Sequence, residues 1–327
     1  MIIWINFLRS LFGDTLFFPS IRCMWREGVA VLSDHQYFTI LKTPEVKSSY
    51  LLMAFRGWPD AGEGASGALR YLLKRLAGKK MAEMDPEEFY DFSQVRPHIK
   101  LKGDGVRELK WPTNEIFLQD AQSQSDNLLF FLGMEPNLKW RTYCDAVLNL
   151  AVESGVHTVV HLGALLDAIP HTRDLVMTGS TTDSSLRERL LKLNIRSSGY
   201  QGPSGISSAM MERCTAKGLK FVSLWGHSSH YLQTYPNYKV TYGVVKTVCR
   251  VLELEMDHRE LEAAASVFQK EMHKVVEEDS QLRSYVNKLE TRFDQALVSL
   301  AEMPNPEEMV QELERFLKDQ LGGSNGG

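Results

Sequence analysis

The sequence predicts an α/β fold with a largely parallel sheet covered on both faces. Three observations carry that prediction. Short continuous apolar runs at 50–55 and 128–132, and the buried-type segment 157–162, have the pattern of strands buried on both sides. Amphipathic stretches of about ten to fifteen residues separate them, the spacing of helices between parallel strands. Composition is that of a globular chain, with 43% hydrophobic and 24% charged residues in 327. At that length, about two domains' worth, folding buries ~75% of the unfolded surface without a metal or disulfide staple.

The elements follow in order. Strands are expected at 28–32 and 37–41, and then at 50–55, which ends in Arg56-Gly57. A helix over 61–76 places Ala65, Leu69, Leu72 and Leu76 on one face. Short strand-like pieces at 99–101, 106–110 and 115–118 precede the apolar 128–132, and a helix over 138–153 leads to the strand at 157–162. Further strands are expected at 175–178 and 219–224, and helices at 184–191, 207–215 and 238–255. No repeat of fixed period is present.

The two ends differ from the body. Residues 1–23 are rich in Ile, Trp, Phe and Leu but are interrupted by Arg9, Asp14 and Pro19. They contain neither the run of about 20 apolar residues of a spanning helix nor a clean signal-peptide pattern. They read as an extension ahead of an α/β domain over 24–256, with Met24 as an alternative start. Residues 257–320 hold 15 acidic and 8 basic side chains, and Leu282, Tyr285, Leu289, Phe293, Ala296 and Leu300 share one helical face. Residues 257–321 therefore read as an acidic helical extension, split at Glu277-Glu278-Asp279-Ser280, whose apolar seam meets either the body or another chain. The Gly-rich 322–327 reads as a disordered tail.

Charge and cysteine usage narrow the class. The net charge of −4 offers no basic surplus for nucleic acid or an anionic membrane. Cys23, Cys144, Cys214 and Cys249 are far apart, which fits reduced thiols in a cytoplasmic protein better than a disulfide framework or a zinc ribbon. No cofactor or metal is expected.

Four strand-to-loop junctions carry the polar residues. In Gly57-Trp58-Pro59-Asp60-Ala61-Gly62-Glu63, Asp60 and Glu63 have capping-box spacing, and the helix start suits an anion. In the loop expected after residue 162, Asp167, His171 and Arg173 form a polar cluster: a carboxylate beside an imidazole for proton transfer, and a guanidinium for an anion. Gly202-Pro203-Ser204-Gly205 lacks the spacing of a nucleophile elbow, and Ser204 or Ser207 reads as a helix cap. His227 and His230 follow the strand ending at 224 as hydrogen-bonded loop histidines, with no carboxylate at metal-ligand spacing. Trp58, Asp60, Asp167, His171, Arg173, Ser204, His227 and His230 are thus the candidate ligand- or partner-binding residues, and no residue is assigned as catalytic.

In this order, the Gly57–Gly62 turn, the Leu162–Arg173 stretch (Leu-Gly-Ala-Leu-Leu-Asp-Ala-Ile-Pro-His-Thr-Arg), Gly202–Ile206 and Ser223-Leu224-Trp225 with 231–236 resemble the proteasome assembly chaperone family, in its bacterial, actinobacterial-like branch. The resemblance runs from about Trp25 to Leu317. It implies a three-layer α/β/α sandwich similar to nucleoside phosphorylases and hydrolases, usually homo-oligomeric. Relatives dock on proteasome subunits partly through a C-terminal hydrophobic-Tyr-any motif, whereas this sequence ends Ser324-Asn325-Gly326-Gly327. Two readings stay open. One is a non-enzymatic assembly-chaperone-like binding protein, partnering itself and a proteasome-related or other protein. The other is a phosphorylase- or hydrolase-like enzyme acting on a small polar ligand.

Overall fold

The computed structural model describes residues 36–42, 47–103, 105–119, 127–232 and 234–302, with side chains as far as 296. The chain divides into Met1–Gln36 and Tyr37–Gly327, and the fold below is that of the second unit. The expected strand at 28–32, the extension 1–23, and the stretches 306–321 and 322–327 lie outside the described residues.

Among the described residues ten strands form: β1 Phe38–Ile40, β2 Ser48–Arg56, β3 Gly78–Met84, β4 His98–Leu101, β5 Arg107–Lys110, β6 Asn114–Gln119, β7 Asn127–Met134, β8 Thr158–Asp167, β9 Met177–Thr181 and β10 Lys220–Ser229. Seven α-helices accompany them there: α1 Gly64–Arg75, α2 Trp140–Glu153, α3 Ser184–Lys192, α4 Ile206–Ala216, α5 Tyr238–Leu252, α6 Arg259–Glu278 and α7 Ser280–Glu302. Eight strands make one sheet in the order β1-β3-β6-β7-β2-β8-β10-β9, and β4 pairs with β5 alone. The sheet is mixed. The expected parallel pairing holds among the four central strands β7, β2, β8 and β10. The flanks, β1-β3-β6 on one side and β9 on the other, pair antiparallel.

Alternation along β2 assigns the layers. Leu51, Met53 and Phe55 pack against Tyr143 and Val147 of α2 and Ile206 and Met210 of α4. Leu52 and Ala54 face Ala65, Leu69 and Leu72 of α1 and Val240, Val244 and Val248 of α5. Both faces are therefore covered, the three-layer arrangement of an α/β/α sandwich. The second layer is tight where α1 begins. A Cβ on Gly64 would lie 2.4 Å from Val240 Cγ1, so only glycine lets α1 approach α5 this closely. β3 is the strand that sequence pattern conceals: Lys79, Lys80 and Glu83 break its apolar run, and Lys80 is held by Glu83 and by Glu115 of β6.

The acidic extension begins as two helices broken at the expected point, where Asp279 Oδ1 accepts from the amides of Gln281 and Leu282. Of its expected seam, Leu289 is buried and Leu282 and Phe293 are half-buried, whereas Tyr285 and Ala296 are exposed. Val286, off that seam, is buried and clusters with Val276 and Leu232. The described part of the seam thus packs on the body only in part.

One core residue is out of character. His161, on β8, is fully buried between Phe55, Phe221 and Trp225, with ring centroids 5.3–6.4 Å away, and neither ring nitrogen has a protein partner. Burial lowers its pKa to about 3. A histidine so depressed contributes stability above its unfolded pKa of about 6.5 and loses it as pH falls toward the folded value. His161→Leu should therefore flatten the acid side of the unfolding profile between about pH 6.5 and 4. At pH 7 it should leave stability equal or higher, because an unpaired buried polar group costs about 1–3 kcal/mol. Chemical denaturation across pH checks this; an unchanged acid slope with a large loss at pH 7 would contradict it.

Candidate functional site

The site is organised by the length of two strands. β8 and β10 stay in parallel register from Thr158↔Lys220 to Asp167↔Ser229, whereas β2 accompanies β8 only as far as Ala54↔Leu162. The segments expected as loops after 162 and 224 are therefore strand, as far as Asp167 and Ser229. Their backbone polar groups are satisfied by each other despite glycines and polar side chains that read locally as loop. Gly163 is required here, since the Trp225 ring lies across it and a Cβ would come within 2.5 Å of Cε3.

Beside this overhang opens a cleft of about 1240 Å³. Phe221, Ser223 and Trp225 of β10 and Thr178 and Ser180 of β9 line it, together with Trp58 and Asp60, the 197–205 loop carrying Tyr200 and Ser204, and Ser207, Ser208 and Met211 of α4. Three of its aromatics are strongly exposed: Trp58 (66%), Tyr200 (65%) and Tyr235 (62%). Arg56 and Arg70 also border it. Arg70 is paired with Glu63 at 2.9 Å, and Arg56 Nη2 donates to Thr113 O and Oγ1.

Asp60 does not form the expected capping box. Its Oδ1 accepts at 2.9 Å from the amides of Ala65 and Ser66, across the short 3₁₀ turn Ala61–Glu63, so the anion at the start of α1 is the protein's own. Burial raises its pKa in spite of those bonds. Ser204 is not the cap of α4 either. Gly205 occupies the N-cap position, and the Ile206 amide donates to Glu135 Oε1 at 2.8 Å. Ser204 Oγ instead bonds Ser208 Oγ.

The remaining candidates belong to a second constellation, and the expected Asp167–His171–Arg173 cluster separates within it. Asp167 Oδ2 accepts from His227 Nδ1 at 2.7 Å, and His227 Nε2 meets Thr178 Oγ1 at 2.9 Å. With the proton on Nδ1, Nε2 accepts from the threonine hydroxyl, so the three form a relay that begins at the cleft wall. His171 receives the Tyr231 hydroxyl at Nδ1 (2.8 Å), and burial lowers its pKa to about 4. His230 donates from its amide and Nδ1 to Asp167 O, each at 3.0 Å, and its Nε2 accepts from Tyr285 of α7. Arg173 grips α7: Nε and Nη2 hold Asp294 bidentately at 2.9 and 2.7 Å, and Nη1 reaches Glu290 at 3.1 Å. The guanidinium expected to meet a ligand is engaged by its own chain.

Trp58, Asp60 and Ser204 thus gather at the cleft. Asp167 and His227 stand behind Thr178, which lines it, and His171, Arg173 and His230 secure the helical extension. Sequence reasoning passed over Thr178, Tyr200 and Glu135. Only Glu135 left a readable signal, a carboxylate just beyond the carboxyl end of a buried strand. The thiols of Cys144 and Cys214 are buried, with pKa values raised to about 12, so they are unreactive. Among the described residues no cluster of His, Cys, Asp or Glu could hold a metal ion, and no helix is long and apolar enough to cross a membrane.

The Arg173 contacts make a prediction. Arg173→Ala should accelerate amide hydrogen exchange in α7 with little change in β8 or β10. The Arg173 guanidinium also lowers the pKa of Asp294, so this anchorage is present above the unfolded carboxylate pKa and is lost as pH falls through the depressed one. Exchange mass spectrometry that finds α7 equally protected in the variant would contradict the assignment.

Comparison with known proteins places this geometry. The family model described as the PAC2 family matches residues 54–276. A PAC2 family protein from Streptomyces avermitilis is 34% identical, with a TM-score of 0.66 over 73% of this chain and 100% of that one. A proteasome-assembly chaperone homologue from Mycobacterium tuberculosis is 33% identical, with a TM-score of 0.66 over 72% of this chain and 99% of that one. An archaeal proteasome activator from Pyrococcus furiosus shares the fold at 18% identity, with a TM-score of 0.59 over 73% of this chain and 97% of that one. No curated protein matches. With a family model over more than half its length and two relatives above 30% identity, the chain belongs to the PAC2 family.

Proposed function

We propose that this chain is an assembly-chaperone-like factor that binds protein, in the cytoplasm and as a homo-oligomer, and that the cleft beside β10 receives a segment of its partner. The observation that carries this reading is the cleft rim. Trp58, Tyr200 and Tyr235 stand exposed around one concavity, and Trp and Tyr are the residues that dominate protein–protein binding energy. The charged candidates support it, since Asp60 is committed to α1 and Arg173 to α7. Relatives described as a proteasome-assembly chaperone homologue and a proteasome activator make a proteasome-related partner the first to test. We further propose that 24–256 is the binding body, 257–321 its helical extension, and 1–23 dispensable to both.

A phosphorylase- or hydrolase-like enzyme is the second reading. It is favoured by one observation, the Thr178–His227–Asp167 relay at the cleft wall.

One experiment separates them. Trp58→Ala and Tyr200→Ala should each weaken partner capture from a lysate of the native host about tenfold or more, with melting temperature unchanged because both side chains are exposed. Purified protein should show no turnover on a panel of nucleosides with phosphate or water. Turnover that disappears in both Thr178→Val and Asp167→Asn would establish the enzymatic reading instead.

A further inference from the structure

We propose that the cavity bordered by His171, Lys239 and α6 binds a small monovalent anion of halide size. It shares no lining residue with the aromatic-rimmed cleft, so it stands apart from the reading given for that cleft.

The cavity lies where the loop after β8 and the start of α5 meet α6, and it encloses about 20 Å³. One bound water needs about 10–15 Å³ of such space, so a single small ion fits. Phe268 and Met272 of α6, with Leu175 and Leu232, give it apolar walls. Two donors that border it are uncommitted. The first is His171, only 4% exposed. The Tyr231 hydroxyl accepts from the His171 amide at 2.7 Å and gives its own proton to Nδ1 at 2.8 Å. The ring proton is therefore on Nε2, which is buried and has no protein partner. The second is Lys239. Its Nζ donates to His171 O at 2.7 Å and to Arg173 O, which uses two of the three ammonium protons. Among the described residues no carboxylate bonds to this ammonium, and the exposed Asp174 acts on it without a hydrogen bond.

Charge and proton count select the ligand. Burial pushes Lys239 down to about 8 and His171 down to about 4, so near pH 7 the first is a cation and the second a neutral N–H donor. A cation held among apolar side chains without a counter-charge is costly. At the cavity wall, His171 O already receives Lys239 Nζ and Gln269 Nε2, Asn237 Oδ1 receives the Val240 amide, and Ser228 Oγ receives Asn237 Nδ2. A water accepting from both free donors would still have two protons of its own to place among acceptors in use. A halide has none, and it supplies the missing negative charge. Because α6 forms one wall, the bound ion also ties the helical extension to the loop after β8.

Crystals of the full chain transferred into bromide test this without any substitution. Anomalous density should appear in the cavity, in contact with both Lys239 Nζ and His171 Nε2. In solution at pH 7, chloride or bromide should raise the melting temperature by about 2 °C or more over gluconate at equal ionic strength, and the gain should saturate with halide. Gluconate is too large to enter. Lys239→Met keeps the apolar stem and removes the charge, and it should abolish the halide dependence. Density that refines as a water after full bromide exchange would overturn the site. A bromide peak with equal melting in halide and gluconate would mean binding at crystal concentration only, which overturns it as well. Halide dependence that persists in a folded Lys239→Met would overturn the assignment to these donors. If that variant does not fold, the two measurements on the unaltered chain decide.

Discussion

The parallel ladder between β8 and β10 is the constraint on which the rest of the structure depends. Both strands continue for five residues beyond the last pairing of β2 with β8, to Asp167 and Ser229. The overhang does two things at once. On one side it extends, through Leu165, Leu166 and Trp225, the cleft wall that Phe221 and Ser223 begin. At its tip it presents Asp167, whose carboxylate fixes His227 and whose carbonyl fixes His230. Without the extra ladder these groups would sit on a free loop, and the contacts that tie α7 to the body would lose their footing.

From that ladder the polar residues divide by what they hold. Asp60 closes the first turn of α1 while the Pro59 carbonyl accepts from the Ala164 amide, so the Trp58 turn is fastened to β8. Arg173, Thr172 and His230 bind Glu290, Asp294 and Tyr285, so the helical extension is fastened to the same strand end. The charges that in an α/β enzyme would face a substrate here connect elements of the protein. The most exposed large hydrophobic side chains at the cleft are aromatic: Trp58, Tyr200 and Tyr235. The described part of the extension is accordingly tied to the body.

Most of the fold was legible because burial on two faces writes itself into sequence: Tyr50–Phe55 of β2 and Leu128–Leu132 of β7 are continuous apolar runs, and the first half of β8 is mostly apolar. The second halves of β8 and β10 were not legible. Gly163, Asp167, Gly226, His227 and Ser228 have the local composition of turns, and only the partner strand makes them strand. β3 was concealed by Lys79 and Lys80, the second of which is paired across the sheet with Glu115. The candidate residues were grouped by proximity in sequence. Three dimensions regroup them, sending Arg173 to a carboxylate 121 positions away and Asp167 to a histidine 60 positions away. No local pattern encodes either pairing.

The central claim, that the aromatic-rimmed cleft is where this PAC2 family protein meets a protein partner, is tested most directly by photo-cross-linking from inside the cleft. A benzophenone amino acid placed at Tyr200 in the native host should yield a discrete protein adduct, and the adduct should vanish when Trp58→Ala is added. The same label at exposed Val152 on α2, away from the cleft, should yield none. An adduct that forms equally from both positions, or none from Tyr200, would contradict the account.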